Sequence, residues 1–200
     1  MCVAVSLSVI IPLAPSEDKP VTLINALPPE IEVILAREAG RAQSLNAGAA
    51  KATGEYLWFL HADSTLPADG WQKLQRAIAQ KPNALHYFNL GFADGGWRMK
   101  LNSWGANLRS RYLGCPFGDQ GFCIHRQLFQ DLGTYSETAP YGEDHLFVWQ
   151  AHKANVKLNQ ISATLTTSAR KYQQRGWLNT TLRHGYLWLK QVVSVKWQQS

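Results

Sequence analysis

Residues 54–63 read Gly54-Glu55-Tyr56-Leu57-Trp58-Phe59-Leu60-His61-Ala62-Asp63. An apolar run bounded by a glycine on one side and a polar, acidic turn on the other spells a short buried strand. A carboxylate just past such a strand is costly unless it is solvated, paired or metal-bound. The stretch therefore predicts a buried sheet and, at the end of one of its strands, the place where chemistry is to be sought.

Working outward, residues 7–13 form a second apolar β-rich run, closed by Pro12 and Pro15. Ser16 is placed to cap a helix over 17–27, which Pro28-Pro29 would stop. Residues 31–35 read as a strand, and 41–52, rich in Ala, Leu, Gln and Lys, as a helix ended by Gly54. Beyond Pro67 a helix over 68–80 carries Trp71, Leu74 and Ile78 at helical spacing, and 84–92 resumes strand character. This alternation predicts an α/β fold with a mostly parallel central sheet flanked by helices. Ligands of such sheets bind beyond the carboxyl ends of the strands, which is where His61 to Ser64 falls.

The second half is less regular. Residues 97–113 suit a helix with Arg109 and Arg111 near its end, 114–121 a loop, 122–126 a short strand and 127–132 a helical turn. A helix over 143–154 precedes a strand over 156–166. From Trp177 an amphipathic C-terminal helix carries Leu178, Leu182, Tyr186, Leu189 and Val193 in register, with Trp188, Trp197, Arg183, Lys190 and Lys196. Two hundred residues suit one domain, with a first half over 1–92, a second over 93–175 and the helix over 176–200.

Composition narrows the classes. Apolar residues make up 46% and charged residues 17% of the chain, the balance of a globular protein rather than a disordered one. No apolar run is long enough to span a bilayer, and the first residues lack the basic start of a signal peptide. Cys2, Cys115 and Cys123 contain no CxxC pair, which points to a reducing cytoplasm. Cys123 and His125 lack further ligands at zinc spacing. A net charge of +6 suits an anionic ligand such as a nucleotide, a phospholipid surface or a nucleic acid. A nucleic-acid module is disfavoured because no recognition motif accompanies the charge.

Four constellations carry candidate chemistry. Asp63 suits a divalent cation, Mg²⁺ or Mn²⁺, that bridges nucleotide phosphates, with His61 a second ligand or a ribose contact; Asp63 also reads as a turn cap and His61 as a packed polar residue. Glu143-Asp144 opens a helix, as dipole partners commonly do, or supplies a general base, Asp144 before Glu143. Gly118-Asp119-Gln120-Gly121 is either a plain turn or a loop whose backbone approaches a ligand. Ser168-Ala169-Arg170-Lys171-Tyr172, with Arg175, is either a solvated basic face or a cradle for a diphosphate. The C-terminal helix either packs on the domain or lies on a membrane surface.

Taken in order, these pieces resemble family-2 glycosyltransferases, which have the GT-A fold, and most closely a short bacterial subgroup associated with radical-SAM or selenodomain proteins. The resemblance rests on Ser8-Val9-Ile10-Ile11-Pro12, Gly40-Arg41-Ala42-Gln43-Ser44-Leu45-Asn46-Ala47-Gly48 and residues 54–63. It continues through Trp104-Gly105-Ala106-Asn107-Leu108-Arg109-Ser110-Arg111, Gly118-Asp119-Gln120, Glu143-Asp144 and Thr167-Ser168-Ala169-Arg170. It implies a metal-dependent, inverting transfer of a sugar from a UDP- or GDP-linked donor to an acceptor it does not specify. His61-Ala62-Asp63 resembles a DxD motif with histidine in place of the first acid. Asp63 would hold the metal and donor diphosphate, and Asp144 would be the base. Pro12, Arg41, Asn46 and Arg170 would line the donor, and Gly118, Asp119 and Gln120 the sugar or acceptor. The implied location is the cytoplasm, with contact at the inner membrane face through the C-terminal helix.

One departure stands out. The family has an Asp-Gly-Ser type turn after its second strand, whereas this chain has Ala36-Arg37-Glu38-Ala39-Gly40. Either Glu38 substitutes in nucleoside recognition, or the pocket has decayed. The second alternative leaves a non-catalytic binding or scaffolding protein on the same fold.

Overall fold

The computed structural model describes residues 5–139 and 141–197. Among them lie six strands in one sheet of order β2-β1-β3-β5-β4-β6. These are β1 (Leu7–Pro12), β2 (Glu32–Ala36), β3 (Tyr56–Phe59), β4 (Leu85–Phe92), β5 (Cys123–His125) and β6 (Leu158–Thr167). Pairings of β1 with β2 and β3, and of β4 with β6, are parallel, while β5 runs antiparallel between β3 and β4.

That reversal matters for function. The carboxyl ends of β1, β2, β3, β4 and β6 all point to one edge. Because β5 runs the other way, the loop that precedes it, rather than the one that follows, reaches that same edge. Gly118 to Gly121 is delivered there by topology.

The helices are α1 (Val21–Asn25), α2 (Arg41–Lys51), α3 (Gly70–Gln80), α4 (Gly96–Leu113), α5 (Arg126–Asp131), α6 (Glu143–Lys153), α7 (Arg170–Arg175) and α8 (Trp177–Trp197). The expected helix over 17–27 shrinks to α1, which starts only after Pro20 and has no side-chain cap; Ser16 instead lies in a turn. The basic run after β6 continues from Arg170 as α7. Asp94 accepts the Ala169 amide at 2.9 Å and the Gln173 side chain at 2.7 Å, anchoring the start of α7.

Packing lies on both sides of the sheet. Val9, Ile11, Trp58, Leu74, Ile78 and Phe88 belong to one buried cluster, and Ile10, Leu57, Phe59, Phe129, Phe147 and Val148 to the other. Alternate residues of β1 and β3 feed opposite clusters, as the period of an extended chain requires. Two close approaches fix the first half of the sheet. At Gly48 a Cβ would lie 2.5 Å from Ile10 Cγ2, so α2 sits directly on β1. The Gly54 amide donates to Ser8 Oγ at 2.8 Å, and a Cβ at Gly54 would lie 2.6 Å from the Ser8 amide nitrogen. Ser8 in turn donates to Glu32. Burial raises the Glu32 pKa, but the hydrogen bonds from Ser8 and Thr53 outweigh it and hold the carboxyl below its usual value.

Candidate active site

Arg41 is the hub of the side chains gathered at the carboxyl edge. It is the first residue of α2, where a cation faces the positive end of the helix dipole and needs a partner. Glu143, opening α6, supplies one: Arg41 Nε lies 2.8 Å from Glu143 Oε1. The other arm of the guanidinium meets His61 Nε2, just past β3. Three segments separated by up to a hundred residues thus converge on one side chain.

Asp144 lies beside this pair. Its Oδ2 accepts the Gly118 amide at 2.7 Å, and its Oδ1 accepts the His145 amide at 3.0 Å. Burial raises its pKa, but His145, Arg41 and the two amides prevail, and the carboxyl titrates below its ordinary value. Asp144 is therefore an ionised carboxylate at neutral pH. Gly118 is tightly enclosed: a Cβ there would lie 3.1 Å from Arg41 Nη2 and 3.2 Å from Asp144 Oδ2, so either neighbour would have to shift by a few tenths of an ångström.

Asp119 differs. Its Oδ1 is sealed from solvent and has no hydrogen-bond partner among the described residues. Burial first, then the charge of Asp144, push its pKa up to about 6, against the opposing Arg109 and Arg41. Two neighbouring carboxyls thus titrate apart, one pinned ionised and one able to carry a proton near neutrality. Arg109, from α4, closes the site. Its Nε donates to Cys115 O at 3.0 Å, and its guanidinium carbon lies 3.2 Å from the centre of the Phe117 ring, whose centre is 3.7 Å from that of the His145 ring at a tilt of 50°. In the sequence Arg109 is only a cation near the end of a helix and part of a motif; its guanidinium belongs to the site because the loop that returns from the end of α4 lays Phe117 over it.

Two of the other expected site residues, Asn46 and Gln120, hold segments of the chain together. Asn46 donates to Tyr135 O at 2.9 Å and Glu137 Oε1 at 2.8 Å and accepts the Tyr135 amide at 3.1 Å. Both N–H donors and the oxygen of its amide take part in tying the 135–137 segment to α2. Gln120 accepts from Ser110 and the Phe117 amide and donates to Phe88 O, so it locks the loop to α4 and β4. Pro12 ends β1 half-buried, and Arg170 is exposed at the first turn of α7. Thr65 and Thr166 exchange backbone hydrogen bonds at 2.7 and 3.1 Å, which binds the segment just past Asp63 to the end of β6.

Where the acidic turn would fall, Arg37 spans back to Ala14 O at 2.8 Å, Pro15 O at 3.2 Å and Glu17 O at 2.7 Å. Glu38 keeps its side chain in solvent while its backbone bonds Ser44. The turn is thus rigidly held although its family acid is missing.

A divalent cation fits this site in one manner. Among the described residues no three His, Cys, Asp or Glu side chains converge to cage an ion, and His61 Nε2 faces a guanidinium. Asp63 is an exposed hard-oxygen donor at the end of β3, suited to a cation shared with the phosphate oxygens of a ligand.

This fold and edge define a nucleotide-sugar transferase-like α/β protein. Residues 8–133 match the family model described as Glycosyl transferase family 2, and the chain belongs to that family. No curated protein sequence matches it. Among solved structures it is similar to S. aureus TarS 1-349, with a TM-score of 0.61 at 16% identity over 82% of this chain and 60% of that one. The same protein in complex with UDP-GlcNAc gives a TM-score of 0.58 at 16% identity, over 82% of this chain and 58% of that one. GalNAc-T7 with UDP, GalNAc and Mn2+ gives 0.59 at 15% identity, over 82% of this chain and 44% of that one. The fold is GT-A, and the chain spans at most about three-fifths of these relatives.

Proposed function

We propose that this chain transfers a sugar from a UDP- or GDP-linked donor to an acceptor hydroxyl, with inversion at the anomeric carbon and a divalent cation bound alongside the donor diphosphate. The observation that carries the reading is the Asp144 carboxylate, fixed by the Gly118 amide beside Arg41. Family membership and likeness to structures holding UDP-GlcNAc or UDP with Mn2+ support the donor class. The ordered motifs further support the subgroup associated with radical-SAM and selenodomain proteins.

Asp144 accepts the proton of the attacking hydroxyl as the hydroxyl oxygen bonds to the anomeric carbon and the bond to the diphosphate breaks. Two backbone amides fix the direction of its carboxylate, so little reorganisation is needed. Arg41 stands beside it as a permanent cation facing the donor side, held in place by Glu143. Asp119, carrying a proton, donates to a sugar oxygen; ionised, it accepts. Arg170 offers charge-assisted hydrogen bonds to the leaving phosphates. Asp63 would hold the cation, which when bound neutralises charge on the diphosphate.

The test is calorimetric titration of UDP, GDP and their common sugar conjugates, with and without Mn²⁺, on the parent protein and on Asp63→Ala. Mn²⁺-dependent binding of one nucleotide, abolished in the variant, is expected. Affinity unchanged in Asp63→Ala would remove the cation assignment. Binding of none of them would replace the transferase with the scaffold reading.

A further inference from the structure

Among the described residues, every exposed large apolar side chain except Val21 lies on α4 or α8. On α4 they are Trp97, Leu101, Trp104, Leu108 and Tyr112, with Leu113 beside the end. Steps of three and four keep the first five in one stripe. The buried residues of the same helix, Met99 and Ser110, lie on the opposite side. The stripe therefore faces away from the core, inverting the usual amphipathic arrangement.

The second helix repeats the pattern. Leu178, Leu182 and Tyr186 are exposed, Tyr186 by 64%, opposite buried Thr180. The side chains of Trp188, Leu189, Val193, Lys196 and Trp197 lie outside the described residues. The two helices touch: Trp177 donates to Asn102 at 3.3 Å, Asn102 to Thr181 at 3.3 Å, and the Trp97 and Trp177 rings are 6.1 Å apart. Arg98 lies over both rings, at 5.6 and 5.7 Å.

Charge identifies what covers this surface. α4 carries Arg98, Lys100, Arg109 and Arg111, and α8 carries Arg183, Lys190 and Lys196, with no Asp or Glu in either helix. Nor does any acid occur from residue 145 to residue 200. A second copy of the chain, paired about a two-fold axis, would set these cations against themselves. No helix among the described residues is long and apolar enough to cross a membrane. Aromatic and leucine side chains amid cations alone suit the interface of an anionic bilayer, where rings sit at headgroup depth and each nearby cation adds attraction.

We infer that the outward faces of α4 and α8 form a docking surface for anionic phospholipid membranes. The chain lies on the bilayer, with the α4 stripe and the first turns of α8 inserted at headgroup level. Since α4 also carries Arg109 into the cleft, the site stands about one helix diameter, ~10 Å, from the lipid.

The test is co-sedimentation of the whole chain with phosphatidylcholine vesicles and with vesicles containing about one-third phosphatidylglycerol. Two variants accompany it, Trp104→Ser with Leu108→Ser and Lys100→Glu with Arg183→Glu; all four side chains are exposed, so folding should survive and circular dichroism checks it. Expected are binding to the anionic vesicles well above the neutral ones and, in each variant, a loss of about tenfold or more in partitioning. No binding to anionic vesicles, or variants binding as the parent does, would overturn the inference. So would a dimer in solution that Trp104→Ser with Leu108→Ser dissolves, because the stripe would then belong to a second copy.

Discussion

α4 has two unlike sides. Inward, Arg109 lies over Phe117 beside the two cleft carboxyls, and Ser110 bonds Gln120 at 2.7 Å. Outward, Trp104 and Leu108 stand in solvent, 62% and 42% exposed. In the cleft, Arg41, Asp144 and Glu143 each answer another element of the chain, so disturbing one displaces the rest. On the outer side the apolar groups make few contacts within the protein, so a change there is felt by whatever binds and hardly by the fold.

The largest expected effect comes from Asp144→Asn. The amide keeps the size of the carboxylate but cannot take a proton, so turnover should fall by about 10²–10⁴-fold while donor affinity persists. Steady-state rates beside a donor titration read both quantities, and undiminished turnover removes Asp144 as the base.

Gly118→Ala should come next. The added methyl meets Arg41 and Asp144 at 3.1 and 3.2 Å, forcing both to give way by a few tenths of an ångström. A loss of turnover of about tenfold is expected from such misplacement, with a near-parental melting temperature. Parental activity would mean that the cleft is less tightly built than its contacts indicate.

Asp119→Asn separates the two carboxyls by pH. In the folded chain Asp119 holds a proton up to about pH 6, whereas its ordinary value is 3.8. The folded state therefore binds more protons between these values, and stability falls as pH rises from about 4 to about 6. The variant should lose that decline and be more stable at pH 7 by about 1–3 kcal/mol. Denaturant melts across pH 4–8 check it; curves that superimpose with those of the parent would contradict the burial of Asp119. Asp144 has the opposite sign: its lowered pKa adds stability above the ordinary carboxylate value, lost as pH falls through the folded one.

The smallest effect belongs to the outer side. Trp104→Ser should change stability by no more than about 0.5 kcal/mol and leave donor affinity as it was. A marked destabilisation in a denaturant melt would show that the stripe packs against the protein after all.

What the sequence made legible followed from local pattern. The strand at 56–59, the turn carrying Asp63 and the acids opening α6 all depend on neighbours within a few residues, and they stand where periodicity and strand-end reasoning put them. What it concealed depends on distance along the chain. Asn46 is consumed by Tyr135 and Glu137, about ninety residues away, and Gln120 by Phe88, thirty-two residues away; a polar residue in a motif looks the same whether it faces a ligand or fastens a loop. The antiparallel insertion of β5 is equally unwritten in a three-residue strand, and it brings Gly118 to the edge. The stripe on α4 was present as period, but only burial tells which side of a helix faces out.

The central claim, inverting transfer with Asp144 as base, is tested most directly by following the anomeric proton of the bound donor sugar by NMR during turnover with Mn²⁺. Water can serve as acceptor where no other is supplied. An α-linked donor should yield the β anomer first in the parent protein, with product forming about a hundredfold or more slower in Asp144→Asn. First appearance of the α anomer, or product formation in the variant at the parental rate, would contradict the account.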